Sequence, residues 1–446
     1  MKLNKITISS REALSSHILS GRPTFYYGSA TSTVIPYDKI EATLGPLEGE
    51  ELVWANLSTM PSNLELDNSN NLIVTGPVCW QEAKAFCRSK GRDIMTSPTE
   101  ELASILSGLA TSATGERCFG FGTLRDQVQE VEYCSHRGEF SWVSAVREID
   151  EVDSLKSYQS DYEKFKSFKN APFPRIEKEA DFLIGTEGQL GVITSAKIQT
   201  TELVERTFIF LKLPRWEENM EPHLEIFEKV QNFKDEIFSC ELLDENSMKA
   251  LPAEEKVSES GDVIFLEVKS NSFDNIYEKL LSTIELVKED NIFEISANRC
   301  HQLRMNVPRY TFEKNFQMGV VKKGTDVQVN SKDFRALLEF YKSWTDIGID
   351  YNLFGHFGDA HLHFNFLPTS SQIEICQQRL EELYKFVSEI DGSPFAEHGI
   401  GLIKQKFITH FWNSNQYDLF NELKKIHDPK GIFFPLGYLS MKRESN

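Results

Sequence analysis

The sequence predicts an α+β chain of more than one domain. Its 446 residues exceed what one ordinary core organises and are enough for two or three domains. From Arg206 onward, short β-patterned runs alternate with helix-patterned runs across hairpin-length links. That order suggests an antiparallel sheet backed by helices. From Ala360 to Phe366 polar and apolar residues alternate strictly, the period of a half-buried strand.

Met1 to Ser20 is polar and mixed, so no signal peptide is expected, and no apolar run approaches membrane-spanning length. Thr24 to Pro36 reads as a strand entering a small-residue loop. There Gly28, Ser29, Ala30, Thr31 and Ser32 offer backbone N–H groups and hydroxyls to a phosphate; an ordinary turn reads the same way. Glu51–Leu57 and Leu72–Val78 are expected strands, and Trp80–Lys90 a helix, with Thr96 or Ser97 as a later cap. Leu106 to Asp126 is the densest small-residue stretch, with Thr111, Ser112, Thr114, Gly115 and Gly122 among its members. Such density lets backbone approach a large planar or phosphorylated ligand, and a tight inter-strand loop has the same composition. Gln127–Tyr133 and Phe140–Val143 form a hairpin pattern, and residues 147–170 are charged, helical or mobile surface. In Asp181 to Thr194, apolar residues flank Gly185, Gly188 and Gly191, with Glu187 between them. Alone this is a glycine-bent strand pair.

Beyond Arg206, strands are expected at 207–213, 237–243, 262–270 and 326–329. Helices are expected at 221–235, 273–289, 331–344, 370–391 and 403–412.

A formal net charge of −19 argues against nucleic acid or an anionic membrane as partner, while a locally positive pocket still admits an anionic small molecule. Seven cysteines are scattered without a C-x-x-C pair. This indicates neither a disulfide framework nor a thiolate metal site, and buried thiols in a reducing, by default cytoplasmic, compartment follow.

The chemistry gathers near the C-terminus. Gly355 to Phe366 holds three of the ten histidines within eight residues. On the expected strand His361, His363 and Asn365 share a face, and Gly355 and Gly358 frame a turn that lets His356 fold back toward His363. Clustered imidazoles with a carboxylate suit a divalent metal such as zinc or manganese. Ala396-Glu397-His398-Gly399-Ile400-Gly401 supplies a carboxylate for ligation and a histidine as acid or base. Arg304, Arg309, Lys322 and Lys323 form a basic patch in an acidic chain, able to clamp a carboxylate, although most such residues are solvated surface charge.

These two C-terminal stretches resemble the signature of flavin-dependent D-2-hydroxyacid dehydrogenases, in the vanillyl-alcohol-oxidase-type flavoprotein superfamily. Members act on D-lactate, glycolate or D-2-hydroxyglutarate. Gly185-Thr-Glu-Gly-Gln-Leu-Gly-Val-Ile-Thr194 resembles the family's flavin-packing loop, and residues 426–437 resemble its closing segment. The resemblance implies a two-subdomain FAD-binding domain over residues 1–202. An antiparallel-sheet cap with ferredoxin-like strand–helix repeats would span 203–390, and a return segment 391–446. It places noncovalent FAD against residues 28–32, against Thr111, Ser112, Thr114, Gly115 and Gly122, and against Glu187, Gly188, Gly191, Val192 and Ile193. It makes His356, His363 and Glu397 ligands of Zn2+ or Mn2+, and His398 the base. Asn365, Arg304 and either Lys322 or Lys323 become substrate contacts.

Several positions depart from the family pattern. Ala360-His361 replaces the usual Gly-Asn, so His361 either reshapes the pocket or adds a ligand. Tyr27 and Ala30 alter the first loop, whose lead-in is short, and Phe434 replaces Asn. With no iron–sulfur cysteine cluster and no NAD fingerprint, the resemblance implies an external acceptor, an electron-transfer flavoprotein or a quinone; a homodimer is left open. Two rivals stand beside it. One is a flavin transferase like alkyl-dihydroxyacetone-phosphate synthase, and the other a non-catalytic flavin- or metal-binding relative.

Overall fold

The protein, seen in a computed structural model, is described at residues 2–37, 51–149, 152–249, 251–317, 319 and 323–441. It is α+β, as expected, with two large antiparallel sheets. In the first half, Leu72–Thr75, Val192–Ile198 and Val128–Cys134 form the middle of a five-stranded antiparallel sheet edged by Asn63–Leu66 and Phe140–Ser144. A smaller parallel sheet joins Lys2–Thr7, Glu51–Asn56 and Thr24–Tyr27. Its first strand lies in the stretch read as merely polar and mixed. A helix, Arg11–Leu19, follows, with the Ser10 side chain accepting the Ala13 N–H as a cap.

The second half forms an eight-stranded antiparallel sheet. Its order runs Ile292–Ser296, Arg206–Leu213, Asp262–Lys269, Ile237–Leu243, Asp350–His356 and His361–Leu367, and the last strand also pairs with Lys323–Gly324 and Val327–Gln328. The histidine strand thus runs inside the sheet. Its residues from His361 to Phe366 are buried on both faces, which corrects the half-buried expectation. The polar face is covered by the C-terminal return segment rather than by water: Ala396 and Glu397 donate backbone N–H groups to Asp326, beside the strand. The expected helix at 403–412 is a short 3-10 turn, Gln405–His410, whereas Ala297–Gln317 is a long helix that contains Pro308.

The two halves meet across buried charge. The Arg117 guanidinium lies 2.8 Å from Glu267 Oε1 and 3.0 Å from Asp93 Oδ2, and Arg206 joins Glu267 at 2.6 Å. Glu267 belongs to the large sheet and Asp93 to the strand Arg92–Ile94. Removing one member of a buried charge set strands the others. Arg117→Met should therefore cost about 3–5 kcal/mol, read as a lower urea midpoint at unchanged slope.

Candidate active site

The turn Phe357–Asp359 closes the hairpin between strands Asp350–His356 and His361–Leu367. It is packed so closely that a Cβ on Gly358 would lie 2.6 Å from the Phe119 ring. The hairpin brings the last residue of one strand, His356, beside His361 and His363 of the next, with ring centroids 5.3 and 6.1 Å away. Glu397 arrives from the return segment. Its Oε2 lies 3.2 Å from His356 Nε2 and 3.3 Å from His363 Nε2. The opposite ring nitrogens are both held. His363 Nδ1 donates to the Thr325 carbonyl at 3.0 Å, and His356 Nδ1 donates to Glu241 Oε1 at 3.0 Å. Both Nε2 atoms therefore face one carboxylate oxygen, with Glu241 and the Thr325 carbonyl fixing each ring from behind. This is how metal-ligating histidines are usually held, and two imidazoles with a carboxylate and an open side suit a divalent metal. The donor set fits the ion that the sequence implied.

Charge is tightly compensated here. Burial alone would raise the Glu397 carboxyl, but His356 and His363 outweigh it and hold it well below the ordinary range. Burial alone would lower His356, yet the Glu241 carboxylate raises it to about 9. Gly115 stands against this group: its φ is +141°, and a Cβ there would lie 2.9 Å from Glu397 Oε1.

His361 lies within 4.8 Å of the same donors, but both its nitrogens are engaged. Lys169 Nζ is 3.4 Å from Nδ1, and Nε2 is 3.2 Å from Asp326 Oδ1. Lys169 is in turn paired with Asp359 at 3.1 Å. His361 thus braces the back of the group.

A cavity of about 1020 Å³ runs from the loop at Gly28, Ser29, Ala30, Thr31 and Ser32, past Thr111 and Glu187, Gly188, Gly191, Val192 and Ile193, to Arg304, His356, His363, Glu397 and His398. That size is at the upper end for small-molecule sites and fits an elongated dinucleotide. Glu187 ties its middle to the return segment, accepting the N–H groups of Ile400 at 2.7 Å and Gly401 at 3.0 Å. Burial raises its carboxyl to about 7, against those two donors.

Other sequence-stretch candidates stand off the cavity wall. Ser112 O accepts from Asn170, Thr114 Oγ1 faces the Ala396 carbonyl, Gly115 makes room for Glu397, and Gly122 packs on Asp126. Asn365 is fully buried; its amide donates to His363 O, and its Oδ1 has no partner among the described residues. Lys323 sits on an edge strand near Lys406, where burial lowers its pKa, and does not line the cavity. Lys322 lies outside the described residues. Arg304 does line it, braced 3.3 Å from Glu116 and 3.3 Å from Glu241. The residues that sequence reading missed are the braces: Glu241, Lys169, Asp326 and Lys404. Glu241→Gln should weaken divalent-metal binding by roughly 10–100-fold, measured by chelator competition.

Residues 206–436 match the family model described as FAD linked oxidases, C-terminal domain. The chain belongs to this family. A D-2-hydroxyglutarate dehydrogenase of Danio rerio is 28% identical over 276 residues, covering 56% of this chain and 48% of its own. A D-lactate dehydrogenase of Archaeoglobus fulgidus is 22% identical over 402 residues, covering 88% and 82%. A mitochondrial D-lactate dehydrogenase (cytochrome) of Kluyveromyces lactis is 22% identical over 390 residues, covering 82% and 61%. The chain spans about half the length of several curated relatives it matches. A solved alkyldihydroxyacetonephosphate synthase shares the fold, with a TM-score of 0.65 over 96% of this chain and 75% of that one, at 12% identity. Among the described residues no helix is long and apolar enough to cross a membrane. Some relatives are mitochondrial, so the cytoplasmic expectation gains no support from them.

Proposed function

We propose that this chain oxidises a D-2-hydroxy acid to the 2-oxo acid with FAD as hydride acceptor. The observation that carries the reading is the convergence of His356, His363 and Glu397 beside His398, at the end of the cavity that begins at the small-residue loop. Within this reading residues 1–202 carry the flavin, 203–390 form the substrate cap, and 391–446 return to complete the site. Arg304 takes the substrate carboxylate, its guanidinium held in place by Glu116 and Glu241. His356, His363 and Glu397 would hold Zn2+ or Mn2+, and an ion bound there would supply Lewis-acid stabilisation of the deprotonated substrate hydroxyl. His398 accepts the hydroxyl proton. Burial lowers its imidazole to about 4, against the pull of Asp326 and Glu397, so the ring is neutral before substrate binds, below the near-neutral value that suits a general base. Bound FAD supplies the redox chemistry, and an electron-transfer flavoprotein or a quinone reoxidises it.

The test is the absorption spectrum of the purified protein under anaerobic conditions, before and after a panel of D-2-hydroxy acids. A flavin band bleached by one acid, with bleaching stopped by a chelator and restored by metal, is the expected result. A flavin band that no acid bleaches would sink the reading.

A further inference from the structure

Asp326 is 2% exposed and takes four donors on its two oxygens. The backbone N–H of Glu397 reaches Oδ1 at 3.0 Å, and that of His398 reaches Oδ2 at 3.0 Å. Lys404 Nζ lies 2.5 Å from Oδ2, and His361 Nε2 lies 3.2 Å from Oδ1. A fifth group, His398 Nδ1, stands 3.6 Å from Oδ2. A carboxylate this deep is tolerated because it is so fully paired, yet sheet pairing at residues 327–328 does not require it.

We propose that Asp326 is the positioning residue of the base, holding His398 as its Nδ1–H tautomer so that the bare Nε2 faces the cavity. The inference rests on His398 being the base of the proposed reaction. Two contacts constrain the ring. Its face stacks on His363, with centroids 5.3 Å apart and planes 21° apart. Its Nδ1 edge is turned to Asp326, which leaves Nε2 on the opposite edge, and His398 forms part of the cavity wall. The oxygen nearest Nδ1 also anchors the His398 backbone, so the residue's main chain and ring are referenced to one atom. Lys404 on that oxygen and His361 on the other keep the carboxylate from turning away. Lys169 extends the brace behind His361. At 3.6 Å the Nδ1 contact is longer than a hydrogen bond; such contacts commonly tighten when substrate fills a site. Asp326 keeps its charge throughout: the substrate hydroxyl proton moves to His398 Nε2, while the Nδ1 proton stays where it is and stabilises the imidazolium beside the carboxylate.

Two measurements test this. In the full-length, FAD-loaded wild type labelled with 15N-histidine, the His398 ring is expected to show a protonated Nδ1 and a bare Nε2. An Nε2–H tautomer would overturn the proposal, and this reading needs neither a variant nor turnover. In rapid mixing with the metal-loaded protein, Asp326→Asn should slow flavin bleaching at saturating substrate by roughly 10²–10⁴-fold, with substrate affinity changed by less than about threefold, and Asp326→Glu should recover part of the rate. A purely structural Asp326 would instead lower flavin or metal occupancy and leave the loaded fraction reacting at the wild-type rate, which also overturns it. If no hydroxy acid bleaches the wild type, the dehydrogenase reading falls, while the tautomer still decides what Asp326 does.

Discussion

In a His398→Ala variant, bleaching of the flavin by substrate is expected to slow by roughly 10²–10⁴-fold, with FAD still bound and the metal still held. The separation of effects follows from geometry. His398 lines the cavity, but its contacts to the metal-binding group are a ring stack on His363 and a shared anchor at Asp326. Its side chain supplies none of the donors that converge on Glu397 Oε2. Its backbone N–H, which helps seat the return segment, survives the substitution. Alanine therefore removes the proposed proton acceptor and little else. Stopped-flow traces at several substrate concentrations check this: the limiting rate should collapse while the dissociation constant moves little. A variant that reduces its flavin at the wild-type rate would remove His398 from the chemistry.

What the sequence disclosed depended on how local the pattern was. The histidine strand and the Glu397-His398 stretch were legible because rare side chains recur at strand and turn spacing within a few residues. The braces were not. Glu241 meets His356 from 115 residues away, and Lys169 meets His361 from 192. In Ser239-Cys-Glu-Leu-Leu243 a strand carries that glutamate with nothing beside it to mark a ligand's partner. The long helix at Ala297–Gln317 was missed because Pro308 sits inside it, and proline in that position normally argues for an ending. The strand Lys2–Thr7 pairs in parallel with Glu51–Asn56, a contact that no local window can see. In the small-residue stretch at 106–126, composition alone could not separate two uses of a small residue. Thr111 lines the cavity, whereas Gly115 is small because a Cβ there would meet the Ser97 carbonyl, Pro98 and Glu397.

Glu397→Gln should weaken divalent-metal binding by more than the roughly 10–100-fold expected for an outer brace such as Glu241, because the proposed donor set includes Glu397 itself. Two accounts of the His356–Glu397–His363 group must be separated. As a hydrogen-bonded triad alone, it would stabilise the fold without metal, and added Zn2+ or Mn2+ would leave the unfolding temperature unchanged. As a metal site, it binds in the native state and is scattered on unfolding, so metal must raise stability by linkage, about 2.7 kcal/mol at a hundredfold excess over the dissociation constant. Glutamine keeps the size and one acceptor of Glu397 but removes the charge on which both Nε2 atoms converge. The variant is therefore expected to fold, to keep its flavin band, and to lose most of the metal-dependent rise in unfolding temperature. His356 and His363 remain held from behind by Glu241 and the Thr325 carbonyl, so what is lost is the ligand rather than the frame. A full metal-dependent rise in the variant would take Glu397 out of the donor set and leave it a structural partner of two histidines.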